Sequence, residues 1–169
     1  TDDNLLQSKS SRRDSFAQIG QLGKKTALAA IPGGLLAFLM VPNKTSANIM
    51  FNASENANDP ISALQLALML EYLDGTFYNL GLQMDNLIPE GRDRDSFTKI
   101  AQNEMGHANT IKMALNSLGS QYVFDAPEFD YTGGQGTGNG PLDPFNDYQQ
   151  FLAMSQAFED TGVKAMKGQ

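Results

Sequence analysis

The chain contains no cysteine and no tryptophan, and its 169 residues include a single histidine, His107. Without cysteine there is neither a disulfide framework nor a thiolate metal site. Any metal must be held by oxygen donors, helped by one imidazole. Positive charge is also scarce over most of the chain. From Asn48 onward sixteen acids face six basic residues, a net −10 within an overall −7. A body that acidic repels a phosphate backbone, which excludes nucleic-acid binding from the expected functions. Long apolar runs are few as well. The one extended case is Thr26–Val41, sixteen uncharged residues with Gly33-Gly34 inside it, at or just below the length that spans a bilayer. The total length suits one domain with a real core and is short for two.

What precedes that run has the opposite charge. Residues 1–25 carry five basic groups, including the Arg12-Arg13 and Lys24-Lys25 pairs, against three acids. A basic stretch before a short apolar one is the pattern of an export signal, and Thr45-Ser46-Ala47 offers small residues for cleavage. The alternative from the same features is an uncleaved N-terminal membrane anchor through residues 26–41. Both readings place the acidic body on the periplasmic or cell-envelope side. Residues 1–47 are therefore assigned to a leader, residues 48–59 (Asn-rich and polar) to a linker, and residues 60–169 to the folded domain.

Asp59-Pro60 predicts a helix start, with aspartate at the N-cap and proline in the first turn. A helix over 61–84 follows, with Leu64, Ala67, Leu68, Glu71, Gly75, Tyr78 and Leu82 on one face. Pro89 and Gly91 mark a turn. A second helix is predicted over 95–118, capped by Asp95 and stopped by Gly119, with Phe97, Ile100, Ala101, Glu104, Ala108, Ile111, Leu115 and Leu118 as its stripe. Two helices joined so closely pack antiparallel. Residues 119–142 then have no helical period and end in a glycine-rich run. That run lacks a Lys-Ser/Thr pair and a preceding strand, so it is no phosphate loop. A connection this long needs a reason, and a crossover along a helical bundle is one. The third helix is predicted over 143–167, with Phe145, Tyr148, Leu152, Ser155, Glu159, Gly162 and Met166 on one face.

Each of the three helices carries one glutamate within its apolar stripe: Glu71, Glu104 and Glu159. No lysine or arginine shares those stripes. A carboxylate moved from water into such surroundings is costly unless it is paired or bound to metal. A cation shared between them is the simplest partner. His107 lies three residues after Glu104, on the same helix face. Glu-x-x-His is the unit of di-iron and di-manganese bundles, although alone it is a weak motif. The bland reading, in which each acid finds a core partner or water, stands beside the metal reading. Tyr72 and Tyr78, near Glu71, and the scattered methionines suit ordinary core positions.

The segments Ala67–Leu73 (ALMLEYL), Glu104-Met105-Gly106-His107 and Ala157–Val163 (AFEDTGV) resemble the bacterial ferritin-like family, which is related to desiccation-related proteins. The resemblance covers about residues 60–167. The Arg12-Arg13 pair resembles a twin-arginine export signal, with Phe16 one position later than that motif places it. The resemblance implies an all-α, ferritin-like antiparallel bundle with three of its four helices in this chain. It implies Glu71, Glu104 and His107 on one metal, with Glu104 bridging, and Glu159 opening the shell of a second. The metal would be iron or manganese and the chemistry ferroxidase-like or directed at O2 or peroxide. The alternative is a non-enzymatic, structural or stress-related envelope protein, or an accessory subunit of a membrane assembly, with a vestigial site. The family's fourth helix and second Glu-x-x-His are not in this sequence. Ligand counting then allows at most one divalent metal here, and another helix or chain is expected to complete the bundle.

Overall fold

A computed structural model describes residues 32–42, 59–120 and 123–167. Residues 1–31 and 43–47 of the leader, with the expected cleavage residues Thr45-Ser46-Ala47, and all of the linker except Asp59 lie outside that set. Among the described residues there are four helices: α1 (Pro32–Leu39), α2 (Pro60–Gln83), α3 (Arg92–Ser117) and α4 (Tyr148–Lys167). None of them is long and apolar enough to cross a membrane.

The start of α2 follows its sequence signature. Asp59 is extended, its carboxylate accepts from the Ser62 amide at 2.9 Å, and Pro60 occupies the first turn. The other two starts correct the expectation. Gly91, not Asp95, sits at the N-cap of α3, and Asp93 and Asp95 lie in its first turn, where acids favour the positive end of the helix. Helix α4 begins at Tyr148 rather than Asp143. Asp147 accepts from the amides of Gln149 and Gln150, at 2.8 and 3.3 Å, while Asp143 closes a separate turn onto Asn146. Two aspartates competed for one cap, and the proline following Asp143 keeps that aspartate outside the helix.

Helix α2 is the central element. It is buried on nearly all sides between Leu68 and Gly81, not along one stripe, because α3, α4 and the long connection all pack on it. Helix α3 keeps most of the narrow stripe expected of it, with Phe97, Ala101, Ala108 and Leu115 buried, but Leu118 falls at the C-cap and is 54% exposed. In α4 the buried line is Phe151, Met154, Ser155, Phe158 and Thr161, rotated from the predicted one. The aromatic rings decide that rotation. Phe77 stacks on Phe151 at 4.6 Å and meets Phe158 edge-on at 4.9 Å, and Tyr131 and Phe145 close the cluster.

The crossover is present. Tyr148 donates to Asp93 at 3.0 Å and Phe151 packs on Phe97, so α4 starts beside the α2–α3 turn, at the end opposite to where α3 stops. Along the way Phe124 accepts from the Tyr72 hydroxyl through its carbonyl, and the Tyr131 hydroxyl donates to the Leu73 carbonyl. The glycine-rich run folds around one acid. Asp130 accepts from the Thr132 hydroxyl and from the amides of Thr132, Gly136 and Gly138, the amides at 2.9–3.0 Å, and against the opposing effect of burial these bonds hold its carboxyl below the usual range. Gly140 passes so close to the Thr132 carbonyl that a side chain would collide with it.

Part of the apolar run predicted as signal or anchor packs within this body. Leu36 and Leu39 of α1 are fully buried and Met40 nearly so. Met40 pairs with Phe129 in an isolated antiparallel bridge, and the Asp130 amide donates to the Leu39 carbonyl at 2.7 Å. Residues 36–40 therefore contribute to the same core as α2 and α4.

Candidate metal centre

Glu71 projects from the middle of α2, and Glu104 and His107 from one face of α3. The two helices approach closely at this level because residue 75 is glycine. A β-carbon there would lie 3.4 Å from that of Glu104 and 3.0 Å from the Met105 sulfur. The close approach lets side chains from two helices reach one point. His107 Nδ1 lies 3.3 Å from a Glu71 oxygen and 3.2 Å from a Glu104 oxygen. One ligand atom from each of the three falls within 4.8 Å of the others. The two carboxylates are mostly shielded, with side chains 18% and 14% exposed, while the imidazole is 59% exposed. The cluster thus opens to solvent on the histidine side.

The electrostatics are those of acids crowded without enough counter-charge. Burial, then the neighbouring Glu104, pushes the Glu71 carboxyl up to about 7. The two carboxylates in turn raise the His107 imidazole above its ordinary value against the opposing effect of burial. Among the described residues, His107 is the one base in ion-pair contact with this cluster. Two carboxylates and one imidazole with ligand atoms this close together could hold a metal ion.

Glu159 is placed differently. It lines the same groove of about 420 Å³ as Glu104 and His107, walled by Phe97, Ile100 and Leu152. It stands at the solvent edge of α4, outside the 4.8 Å cluster, and accepts from the Tyr78 hydroxyl at 3.0 Å. Burial and the Glu159 charge hold that phenol far above its ordinary range, so Tyr78 serves as a donor. Glu104 and His107 belong both to the cluster with Glu71 and to the groove with Glu159.

One buried acid near these residues was missed in the sequence. Asp74 follows Glu71 by one turn of α2, is 7% exposed, and interacts electrostatically with Glu71, Glu104 and Glu159. Its spacing of three from Glu71 was the available signal. It was obscured because a single stripe was assigned to a helix that is buried all round.

A helical bundle with a long crossover and a Glu, Glu-x-x-His cluster between its first two long helices defines the class of carboxylate-ligated bundle proteins. Residues 59–169 match the ferritin-like domain family, and the chain belongs to that family. Neither the curated proteins nor the solved structures gave a match to the chain.

Proposed function

We propose that this protein is a metal-dependent redox protein of the cell envelope, holding iron or manganese at Glu71, Glu104 and His107, with Glu159 as a further ligand. The observation that carries this reading is the convergence of three ligand atoms, from two helices, within 4.8 Å of one another. A bound ion of this kind supplies redox chemistry toward O2 or peroxide. The chain's own residues bind and orient. Glu104 belongs to both the cluster and the groove shared with Glu159, so it would serve an ion held in either place. Tyr78 orients Glu159 by donating to it. The open histidine side admits small solutes.

Export rests on the basic leader and the apolar run that follows it. Cleavage near Ala47 would remove Leu36, Leu39 and Met40 from the core, so this reading keeps residues 32–41 with the domain. A further helix, from this protein or from a partner, completes the bundle. Met113, Leu118 and Val163, between 51% and 64% exposed, are apolar surface suited to such a neighbour.

The test is metal content and Fe(II) oxidation by wild type, Glu104→Ala and Glu159→Ala. Glu104→Ala is expected to weaken metal binding by at least the 10–100-fold that losing a mere outer-shell partner costs, and Glu159→Ala by clearly less. Metal binding without turnover would leave the structural, stress-related reading. A wild-type protein that binds neither ion would sink the metal assignment.

A further inference from the structure

Helix α1 has no polar residue. Its sequence from Pro32 to Leu39 is PGGLLAFL, and Met40, Val41 and Pro42 continue in the same character. A helix apolar all round belongs inside a core or in a membrane. Residues 36–42 lie at the surface of the domain instead. Leu36, Leu39 and Met40 face the core, yet Ala37 and Pro42 are exposed and Phe38 and Val41 half-buried. A segment that merely covers a core turns polar residues outward, and this one has none to turn. Its hold on the domain is local. The Leu39 carbonyl accepts from the Asp130 amide at 2.7 Å, and the Val41 amide donates to the Glu128 carbonyl at 3.2 Å. Two glycines of the crossover make room for it. A β-carbon at Gly133 would collide with the Phe38 ring, and one at Gly136 would lie 3.0 Å from Val41. Eight residues are too few for a helix to stand alone in water, so α1 keeps its form only against an apolar support. The seat on the crossover is one such support, and a lipid surface is another. Lys24 and Lys25 directly precede the uncharged run and suit anionic headgroups. The body does not, with its net −10 from Asn48 onward.

We propose that residues 36–41 form an exchangeable strap, with the seat on the crossover as one station and an anionic lipid surface as the other. This is independent of the metal reading. In lipid the segment lies in the interface and does not cross it, since α1 is too short to span. The transfer is a near-balanced exchange. Lipid takes up Leu36, Leu39 and Met40 as the seat does, and adds the outward sides of Ala37, Phe38 and Val41. Against this stand the two main-chain bonds and the uncovering of the seat. The headgroups that draw the lysines also repel the acidic body, which favours the released strap over the docked one at a membrane.

The experiment is co-sedimentation of the full chain with vesicles of mixed phosphatidylglycerol and phosphatidylcholine, against phosphatidylcholine alone. A lock is made with Met40→Cys and Phe129→Cys together. These residues face each other in the isolated antiparallel bridge as a non-hydrogen-bonded pair, about 4.5 Å apart at Cα, a spacing that a disulfide spans. The chain has no cysteine of its own to interfere. Wild type is expected to bind the anionic vesicles and leave the neutral ones. The oxidised pair is expected to bind at least about tenfold more weakly, and reductant to restore the wild-type level. On vesicles the Asp130 amide of wild type should lose protection from hydrogen exchange, because its acceptor on Leu39 has left. Gly133→Ala alters the seat and not the strap. It should raise vesicle affinity about fivefold or more, and it carries the test if the cysteine pair fails to fold. Vesicle binding that the disulfide does not change, or an Asp130 amide still protected on vesicles, would overturn the strap. So would a wild type that binds neither kind of vesicle, or both alike.

Discussion

Glu71 and His107 share a proton economy that sets how the metal-free protein responds to pH. The Glu71 carboxyl is raised from 4.5 to about 7 in the folded chain. Between those values the folded protein holds a proton that the unfolded chain has released, so stability falls as pH rises through that window. His107, raised above 6.5, contributes stability that is complete below that value and is lost as pH rises through its folded value. Asp74 acts in the same sense as Glu71. The lowered acids Asp59 and Asp130 contribute fully above roughly pH 4 and do not blur the window. In chelator, the thermal midpoint is therefore expected to drop steadily from pH 5 to pH 8. Added Mn(II) should flatten or invert that trend, because the ion competes with the same protons. A midpoint that climbs over this range without metal would contradict the crowding of acids described above.

At the scale of elements, two glycines of α2 set how near its neighbours come, and they differ in what they tolerate. A β-carbon on Gly81 would fall 2.2 Å from the ring of Phe151, which is fully buried and stacked on Phe77. That ring has nowhere to go. A β-carbon on Gly75 meets chiefly the flexible end of Met105, itself 36% exposed. Alanine brings a helix-propensity gain of about 1 kcal/mol at either position. Gly81→Ala is nevertheless expected to destabilise by about 1–3 kcal/mol through overpacking, while Gly75→Ala stays within about 1 kcal/mol of wild type. Urea unfolding of the two variants checks this. Equal effects would mean that α4 is not seated against Gly81 as described.

For the molecule as a whole, the question is what α1 does for the bundle. Leu36 and Leu39 have no exposure and join the core cluster that contains Met69, Leu73, Phe77 and Phe158. Leu39→Ala is then expected to cost about 2–5 kcal/mol, the usual range for a buried leucine. An anchor residue lying in lipid, or one lost with a cleaved leader, would show almost no change in the stability of the soluble domain. Comparison of unfolding midpoints for wild type and Leu39→Ala separates these outcomes. Far-ultraviolet circular dichroism ensures that the same helices are being melted.

Much of the fold was legible because helices leave local marks. The Asp59-Pro60 cap, the 3.6-residue stripe of α3 and the unperiodic stretch that became the crossover all depend on neighbours in the chain, and all were readable there. Glu71, Glu104 and His107 were readable for the same reason, as polar residues on apolar stripes that could only meet if two helices packed antiparallel. Other features depend on residues far apart in sequence. The rotation of α4 is decided by Phe151 and Phe158 stacking around Phe77, not by its own periodicity. Glu159 reaches the groove edge and a Tyr78 hydrogen bond, instead of the three-residue cluster, as a consequence of that rotation. Asp74 carries one local mark, its spacing of three from Glu71, but its isolation exists only once α3, α4 and the Tyr131 segment have covered α2. The glycine-rich run acquired its meaning from Asp130, whose carboxylate gathers amides that the sequence merely places in a row. Sequence determined the three long helical segments and which polar side chains lie on their apolar stripes, because propensity, capping and periodicity are short-range. Tertiary structure decided which carboxylates face one another, because burial and like-charge crowding are properties of packed surfaces and not of neighbouring residues.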